Sequence, residues 1–291
     1  ICKFNENFFQ KKNIKFPKVL DVGSNDGSCL EKFKNQGFEV LGVDPASKPS
    51  KIANKRNIKT INNYFNHKVC NQIIKQYGYF DLVTSHNVLA HVEDLDDIFL
   101  NIFNVLKSGG LFCFEVGYFL EVLKNDYFDT IYHEHLDYHH AYPLVKYLNK
   151  IGFSVLNLSK NKIQGGSLRV ICQKNNKIYN KKIVNNFLTM ERKLLIKEKY
   201  HLNNWDNKIN KKMSEFNNLI RRLKSQKKNI VGYGCPTKVV LLLEIARLNG
   251  KIIDYIVEDN KLKQNKYLPI SKIPIYDVGI LNKNKPNGYS Y

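Results

Sequence analysis

A run of four ionisable or hydroxyl side chains, Tyr132-His133-Glu134-His135, is the densest concentration of chemically active residues in the sequence. Histidine titrates near neutral pH, a neighbouring carboxylate can fix its tautomer, and a tyrosine hydroxyl can donate to a developing oxyanion. The run therefore predicts acid–base chemistry. If the run is helical, Tyr132 and His135 share a face, and if it is extended, Tyr132 and Glu134 do. The sequence leaves both arrangements open.

Metal binding is the competing interpretation of the same run, because two histidines separated by one residue can chelate an ion. His139 and His140 follow a few residues later. The run lacks the i, i+4 pair of histidines that is typical of a helical zinc site, and no third ligand is evident. We therefore expect no metal ion in this chain.

Two further polar residues, Asn87 and His91, follow an apolar run at residues 80–85. In open α/β sheets, ligands bind beyond the carboxyl ends of the strands. Asn87 and His91 are therefore predicted to lie over a ligand cleft. A lone histidine in a loop is often structural, so only the position of His91 after the end of a strand favours a functional role for it.

An apolar run at residues 18–22 leads into a turn with Gly23 and Gly27, and a second apolar run at residues 38–43 precedes Asp44. This pattern predicts a strand, a glycine turn, a helix and a second strand. The turn leaves N–H groups for the polar end of a ligand, and glycine lets the backbone approach it. An acid at the end of the second strand can accept both hydroxyls of a ribose. The unit is predicted to bind a nucleoside, although glycine turns also occur without a ligand.

The residues inside the turn narrow the choice of nucleoside. Ser24, Asn25 and Asp26 follow the first glycine, so the G-x-G-x-x-G spacing of dinucleotide sites is absent. Asp26 would repel a pyrophosphate, whereas Asp21 and Asp26 suit a nucleoside with a cationic tail. S-adenosylmethionine is such a molecule, and it is the predicted ligand of this turn.

A sheet must position these residues, and apolar runs alternate with helical patterns from residue 19 to residue 116. Such alternation predicts a parallel sheet with helices on both faces. The predicted strands are 19–22, 40–43, 58–61, 80–85 and 111–116, and the predicted helices are 3–16, 30–36, 51–56, 68–77 and 95–106, the last ended by Gly109 and Gly110. Two further strands, 153–158 and 167–172, are predicted to form a hairpin. Five parallel strands with a closing antiparallel hairpin are typical of the class I methyltransferase fold, a Rossmann-like α/β architecture.

A second, smaller Rossmann-like α/β domain is predicted after a charged helical stretch. It begins with a strand that leads into Gly232, Gly234 and Lys238, and its next strand, 252–257, precedes Glu258. This order repeats that of the first unit and could bind a second nucleotide, although any Rossmann-like domain contains the same elements. The predicted domains are residues 1–176, a helical connector at 177–228, and a C-terminal domain at 229–291 that we expect to be truncated.

The composition narrows the function further. Of the 291 residues, 43% are hydrophobic, which indicates a globular protein. The formal net charge of +20 invites comparison with nucleic-acid-binding proteins. The lysines are spread along the chain, however, and residues 208–228 have the rhythm of a helix with a solvated basic face. The aromatic–basic interleaving of single-strand binders is absent. We expect no nucleic-acid partner.

The six cysteines are isolated from one another, which argues against a zinc ribbon and for free thiols in a reducing compartment. No apolar run approaches the roughly twenty residues that span a bilayer, and no signal peptide is visible. We therefore expect a cytoplasmic protein with no membrane partner. The sequence begins at Ile1 without a methionine, so we also expect it to be a fragment.

Five stretches together resemble the S-adenosylmethionine-dependent nucleotide-sugar C-methyltransferases, of the deoxysugar 3-C-methyltransferase type. The stretches are Gly23-Ser24-Asn25-Asp26-Gly27, Asn87-Val88-Leu89-Ala90-His91-Val92, Phe128-Asp129-Thr130-Ile131-Tyr132-His133-Glu134-His135-Leu136, Gly165-Gly166-Ser167-Leu168-Arg169-Val170 and Gly232-Tyr233-Gly234-Cys235-Pro236-Thr237-Lys238. They occur in the order of the family. The resemblance implies methyl transfer to a carbon next to the ketone of a nucleotide-linked 4-keto sugar.

The resemblance also implies roles for individual residues. His135 would be the base, Tyr132 and Glu134 would hold the sugar or its developing enolate, and His91 would lie near the reacting carbon. The implied cofactor-binding residues are Asp21, Gly23, Asn25, Asp26, Gly27, Asp44 and Asn87, with Asp44 on the ribose and Asp21 and Asn25 on the amino-acid end. The C-terminal unit would enclose the substrate through Gly232, Gly234 and Lys238. The family's amino-terminal zinc-binding module, with its paired cysteines, has no matching residues in this sequence.

Two other functions stay open at this point. One is an S-adenosylmethionine-dependent O- or N-methyltransferase of another small metabolite. The other is a basic nucleic-acid-binding protein on a methyltransferase-like scaffold, which predicts steeply salt-dependent binding to generic RNA or DNA.

Overall fold

The computed structural model describes residues 14–162, 165–175, 178–197 and 201–282. Most of the predicted helix at residues 3–16 lies outside these residues. The chain divides into two compact units: unit 1 is Ile1–Val122 with Glu134–Ile196, and unit 2 is Leu123–His133 with Lys197–Tyr291. These bounds differ from the predicted domain limits at residues 176 and 228. The predicted division into domains stays a prediction.

Unit 1 contains a sheet of seven strands. The strands are β1 (Lys18–Val22), β2 (Glu39–Val43), β3 (Thr60–Ile61), β4 (Phe80–His86), β5 (Leu106–Gly117), β6 (Phe153–Asn161) and β7 (Ser167–Lys174). Their order in the sheet is β3-β2-β1-β4-β5-β7-β6. The first five strands pair in parallel, whereas β7 is antiparallel to β5 and β6. This topology confirms the predicted class I methyltransferase fold with its closing hairpin.

Four of the predicted helices are present within four residues of their predicted ends: α1 (Ser28–Lys34), α2 (Ser47–Lys55), α3 (His67–Tyr77) and α4 (Leu95–Val105). Two helices that were not predicted follow, α5 (Phe119–Asn125) and α6 (Ala141–Ile151), and α7 (Lys182–Leu195) lies within the predicted helical connector. Side-chain caps start two of them, because Asn66 accepts the Val69 N–H at 3.0 Å and Asp94 accepts the Asp97 N–H at 2.9 Å.

The predicted glycine stop after α4 was wrong. The helix ends at Val105 and β5 begins at Leu106, so Gly109 and Gly110 lie within the strand. The pairing of β4 with β5 shifts register here, and the chain bulges between the paired segments. A Cβ on Gly110 would lie 2.9 Å from the carbonyl oxygen of Lys107. The glycines therefore permit the bulge.

Both faces of the sheet of unit 1 are buried, which explains why its strands are continuous apolar runs. On one face, Leu30 and Phe33 of α1 belong to a core cluster with Val19, Leu82 and Leu111 of the strands. Elsewhere in the core, the Phe99 ring of α4 packs edge-on against Phe112 and Phe114 of β5. The parallel pairing of β1 with β2 and with β4 places the carboxyl ends of these three strands side by side.

Unit 2 contains a smaller α/β arrangement, as predicted. Its elements are α8 (Leu202–Ser225), β8 (Val231–Tyr233), α9 (Val239–Ile245), β9 (Tyr255–Val257), β10 (Lys266–Tyr267) and β11 (Pro274–Tyr276). The strand order is β10-β11-β9-β8, with β8, β9 and β11 parallel and β10 antiparallel. Its core includes Leu243, Ile256 and Ile273.

Two sequence expectations concern the whole chain. Within the described ranges, Cys70, Cys172 and Cys235 are free thiols, in line with the expectation from the sequence. None of the helices described here combines the length and the apolar character needed to cross a bilayer.

Candidate functional site

The turn between β1 and α1 has a backbone that only glycine adopts easily. Gly23 has a φ of 77° and Gly27 a φ of 78°, both in the left-handed region. The Gly23 N–H donates to the Val43 carbonyl at 2.8 Å, which attaches the turn to the end of β2. A Cβ on Gly23 would lie 2.2 Å from Cγ2 of Val88. Gly23 therefore also allows close contact with the loop after β4.

Asp44 lies at the end of β2 and faces this turn. Its side chain is 7% exposed. One carboxylate oxygen accepts the Asn25 N–H at 2.8 Å, and the other accepts the Ala46 N–H at 2.8 Å. Each oxygen keeps a lone pair, so the carboxylate can still accept two hydroxyl groups. Two such acceptors are what the hydroxyls of a ribose require, and the contact of Asp44 with a ribose stays a prediction.

Asp21, near the end of β1, is almost completely buried at 2% exposure. The Thr84 hydroxyl donates to its Oδ1 atom at 2.6 Å. Burial raises the pKa of Asp21 to about 7, with a further rise from the Asp44 charge, while the hydrogen bond from Thr84 opposes the change. At neutral pH a nearby cation would shift this carboxyl towards its ionised form. Its predicted contact with the amino-acid end of the cofactor stays a prediction.

Cys29 and His86 accompany Asp21, and the sequence analysis missed this group. Ligand atoms of the three side chains lie within 4.8 Å of one another, and the Cys29 Sγ to His86 Nε2 distance is 3.7 Å. Burial lowers the pKa of His86, which favours the neutral imidazole. In the part of the chain that the structure describes, this is the one group of three potential metal ligands. The only signal of this group in the sequence is that Cys29 lies in the first turn of α1 and His86 is the last residue of β4, both next to the glycine turn.

The remaining predicted cofactor residues surround the turn. Asp26 accepts the Ser28 N–H at 3.1 Å and pairs with Arg56 at 3.5 Å. Hydrogen bonds from Ser28 lower the pKa of Asp26, so Asp26 carries a negative charge at the start of α1. Asn25 and Asn87 both have left-handed backbones, with φ of 51° and 55°. Their contacts with a cofactor stay predictions.

The segment with His135 is attached to the loop after β4 by two short hydrogen bonds. His91 Nδ1 lies 2.6 Å from the Glu134 carbonyl oxygen, and the Leu136 N–H donates to the Ala90 carbonyl at 2.6 Å. Because a carbonyl only accepts, Nδ1 of His91 carries the proton, and neutral His91 presents Nε2 as an acceptor. The rings of His91 and His135 are 5.0 Å apart between centroids. The structure thus brings together two of the predicted catalytic residues.

The backbone of this segment matches neither arrangement considered from the sequence. Residues 131–138 form turns and irregular structure, without a helix or a strand. The division between the units also falls within the run, since Tyr132 and His133 belong to unit 2 and Glu134 and His135 to unit 1. The rings of Tyr132 and His133 are 5.8 Å apart.

His139 and His140, just before α6, are mostly buried. Burial lowers the pKa of both side chains, so they are neutral near pH 7 and withdrawn from solvent. His140 Nδ1 lies 3.8 Å from a carboxylate oxygen of Glu191. The His139 carbonyl accepts the Phe119 N–H at 3.1 Å.

Glu191 of α7 holds the start of α6, and nothing in the sequence analysis indicated it. The side chain accepts the Tyr118 hydroxyl at 2.8 Å and the N–H groups of Ala141 and Tyr142, each at 2.7 Å. It is 1% exposed, and it serves as the cap of a helix whose own preceding residue, His140, makes no side-chain cap. Because α6 follows the His135 segment directly, Glu191 fixes the downstream end of that segment.

In unit 2, the three predicted substrate-binding residues have different surroundings. Gly234 has a φ of 84° and donates its N–H to Val257 at 2.8 Å. A Cβ on Gly232 would lie 2.9 Å from Cγ1 of Ile256, so Gly232 packs against β9. Lys238 forms an ion pair with Asp129. Their contacts with a substrate stay predictions.

A cavity of about 650 Å³ lies next to the β8 turn in unit 2. Most of its wall is aliphatic, with contributions from residues such as Val240, Leu241 and Ile275. The more polar or aromatic lining residues include Tyr132, His133, Cys235, Thr237, Lys263 and Tyr267. One predicted catalytic residue, Tyr132, therefore lines a cavity large enough for a small-molecule ligand.

Comparison with known protein families gives two matches. A family model described as a methyltransferase domain matches residues 1–158, and one described as a C-methyltransferase C-terminal domain matches residues 162–290. Among curated proteins, the chain is similar to C-methyltransferase NovU of Streptomyces niveus, with 32% identity over 259 residues. The alignment covers 89% of this chain and 62% of that protein. The chain thus spans less than two thirds of its relative's length.

Shorter similarities cover part of the chain. The mitochondrial ubiquinone biosynthesis O-methyltransferase of Mus musculus is 32% identical over 115 residues, which are 38% of this chain and 31% of that protein. Among solved structures, magnesium protoporphyrin IX methyltransferase from Synechocystis PCC 6803 aligns with a TM-score of 0.47 and 14% identity, covering 59% of this chain and 81% of that one.

Proposed function

Because the chain belongs to the methyltransferase domain family, whose model matches residues 1–158, we propose that it methylates carbon with S-adenosylmethionine as donor. The substrate in this proposal is a nucleotide-linked 4-keto sugar, and the acceptor is the carbon next to its ketone. Similarity to a protein named as a C-methyltransferase over 89% of this chain supports methyl transfer to carbon.

The observation that carries the proposal is the attachment of the His135 segment to the loop that bears His91. The two imidazole rings are 5.0 Å apart, and hydrogen bonds of 2.6 Å hold the residues on either side of His135. A base that removes a proton from carbon must be held within hydrogen-bonding reach of that proton. The same unit contains the Gly23 turn and Asp44, whose two carboxylate oxygens can accept hydroxyl groups from the nucleoside end of the methyl donor.

In the proposed reaction, His135 takes the proton from the carbon next to the ketone. The electrons of the C–H bond move into the enolate, and a hydrogen bond to the enolate oxygen stabilises it. When bound, the donor would supply an electrophilic methyl group to this carbon, with its sulfonium sulfur as the leaving group. Asp44 would hold the donor's ribose, and His135 afterwards releases its proton to solvent.

Deuterium incorporation tests the role of His135 separately from methyl transfer. Wild-type protein with S-adenosylhomocysteine and a 4-keto sugar nucleotide should exchange the acidic carbon-bound proton with D₂O, because enolate formation needs no methyl donor. His135→Asn should lose exchange and methyl transfer by at least about 100-fold, a typical contribution of a general base, while affinity for S-adenosylhomocysteine stays within twofold. His67→Asn is the matched control, because His67 is an exposed residue at the start of α3. Full activity of His135→Asn would refute His135 as base.

An O-methyltransferase is the second candidate, because of the 115-residue similarity to ubiquinone biosynthesis O-methyltransferases. Such an enzyme needs a base for a hydroxyl and produces no exchange of carbon-bound protons. The ¹³C chemical shift of a transferred ¹³C-methyl group distinguishes a methyl on carbon from one on oxygen.

A further inference from the structure

The nucleoside-binding turn of unit 1 is built around one carboxylate at the end of a strand. The Gly23 N–H donates to the Val43 carbonyl at 2.8 Å. Asp44, the next residue, accepts the Asn25 N–H of the turn at 2.8 Å and the Ala46 N–H, two residues beyond itself, at 2.8 Å. The turn and the start of the next loop thus hold the carboxylate from two sides.

Unit 2 repeats this arrangement with other residues. The Gly234 N–H donates to the Val257 carbonyl at 2.8 Å. Glu258, the next residue after Val257, accepts the Cys235 N–H of the turn at 2.8 Å and the Asn260 N–H, two residues beyond itself, at 2.9 Å. The three hydrogen bonds match those around Asp44, except that the turn donor to the carboxylate follows its glycine by one residue here and by two residues in unit 1.

The space around the second turn is suited to a ligand. A Cβ built on Gly234 would meet no atom within 4 Å, so the turn is open at this point. Cys235 and Lys263 line the 650 Å³ cavity. Both border Glu258, because Cys235 donates its N–H to that carboxylate and Lys263 Nζ lies 4.0 Å from it. The carboxylate and the cavity therefore adjoin.

We propose that Glu258 binds the ribose of the substrate's nucleotide and that the adjoining cavity accepts the base. This inference rests on the proposed function, in which the substrate carries a nucleoside diphosphate. Each Glu258 oxygen accepts one backbone N–H and keeps a lone pair for one hydroxyl. Two acceptors match the 2′- and 3′-hydroxyls of a ribose, and the aliphatic walls exclude water from a planar base. Lys263 and Lys266 of the cavity wall supply positive charge for a diphosphate.

Backbone hydrogen bonds from Asn260 and Cys235 lower the pKa of Glu258. The carboxylate is therefore ionised at neutral pH, which strengthens its bonds to hydroxyl donors. Asp259, the neighbouring acid, instead accepts the Tyr233 hydroxyl at 3.1 Å. It offers a matched control, since its loss removes the same charge one residue away.

Calorimetry tests the proposal without the sugar. The probes are UDP, CDP and GDP, each paired with its 2′-deoxy analogue, and S-adenosylhomocysteine reports on unit 1. We expect wild type to bind at least one ribonucleotide, and to bind its 2′-deoxy analogue about tenfold more weakly. Glu258→Gln should weaken the ribonucleotide by about 10- to 100-fold, as expected for hydrogen bonds to a charged group. It should also abolish the preference over the deoxy analogue and leave S-adenosylhomocysteine unaffected. Asp259→Asn should bind as wild type does.

Three results would overturn the inference: no binding of any probe, equal affinity of wild type for the ribo and deoxy forms, or unchanged affinity in Glu258→Gln. The comparison of ribo and deoxy forms uses wild type alone, so it tests the inference even if the Glu258→Gln variant misfolds. Failure of the proposed function gives a different pattern. In that case the nucleotide still binds through Glu258, while no 4-keto sugar nucleotide exchanges its proton or gains a methyl group.

Discussion

Replacing Asp21 with asparagine should change how the stability of unit 1 depends on pH. Asp21 is 2% exposed, and the bond from the Thr84 hydroxyl to its Oδ1 atom, 2.6 Å long, can also be accepted by an asparagine oxygen. Burial raises the pKa of Asp21 from 3.8 to about 7. The substitution therefore removes the titration while nearly preserving the volume and the hydrogen bond.

The sign of the change in stability with pH follows from the number of protons that Asp21 binds in the folded and unfolded states. Between pH 4 and pH 7 the folded protein keeps the Asp21 proton while the unfolded chain has lost it, so stability falls as the pH rises through this window. The contribution is fully present below the unfolded pKa of 3.8 and is lost above about 7. At about 1.4 kcal/mol for each unit of pKa, the whole effect is about 4 kcal/mol. Between pH 5 and pH 8 it is about 3 kcal/mol.

Urea unfolding of wild type and Asp21→Asn at pH 5 and pH 8 measures this difference. Circular dichroism is the appropriate signal, because the single tryptophan, Trp205, belongs to unit 2. We expect the variant to gain about 3 kcal/mol relative to wild type between the two pH values. Titrating groups far from Asp21 cancel in the comparison. An equal difference between the two proteins at pH 5 and pH 8 would refute the assignment of a raised pKa.

Two further predictions concern the glycine turn and the His91 loop. Gly23→Ala should destabilise the protein by at least about 2 kcal/mol and abolish S-adenosylhomocysteine binding in calorimetry, because its Cβ would lie 2.2 Å from Val88. Gly37 has a φ of 84° and open space around it, so Gly37→Ala should reduce stability only by the backbone cost of about 1–2 kcal/mol. Equal losses of stability in the two variants would show that the Val88 contact is unimportant. His91→Asn keeps a donor near the Nδ1 position and should retain most of the turnover that His91→Ala loses, with the acid limb of the pH–rate profile unchanged. Identical kinetics of the two variants would contradict a role for the bond to the Glu134 carbonyl.

The sheet of unit 1 could be predicted because a parallel strand buried on both faces gives a continuous apolar run. Predicted strands 19–22, 40–43 and 80–85 match β1, β2 and β4 to within one residue at each end. The strand predicted at 58–61 was too long, since β3 begins at Thr60. Ile58 is apolar for another reason: it packs under Gly27, where a Cβ would lie 2.9 Å from its Cγ2 atom.

The fine structure of the site could not be predicted, because contacts between distant residues determine it. The backbone at His135 follows neither helical nor strand periodicity, since bonds to Ala90 and His91 set its path. The buried Glu191 cap also has no local signal, because it lies in a helix whose last turn is basic. Sequence patterns report on the periodicity of an element, and both features depend on which elements meet.

The large sequence separation between Glu191 and the helix that it caps has a consequence for folding during translation. Helix α6 obtains its cap from a residue that the ribosome adds 50 positions after Ala141. During translation, the stretch bearing His135 is thus complete long before the carboxylate that anchors it has emerged. The nascent chain must carry the histidine loop without its downstream anchor until α7 docks, and that interval is when a chaperone or a protease would encounter it.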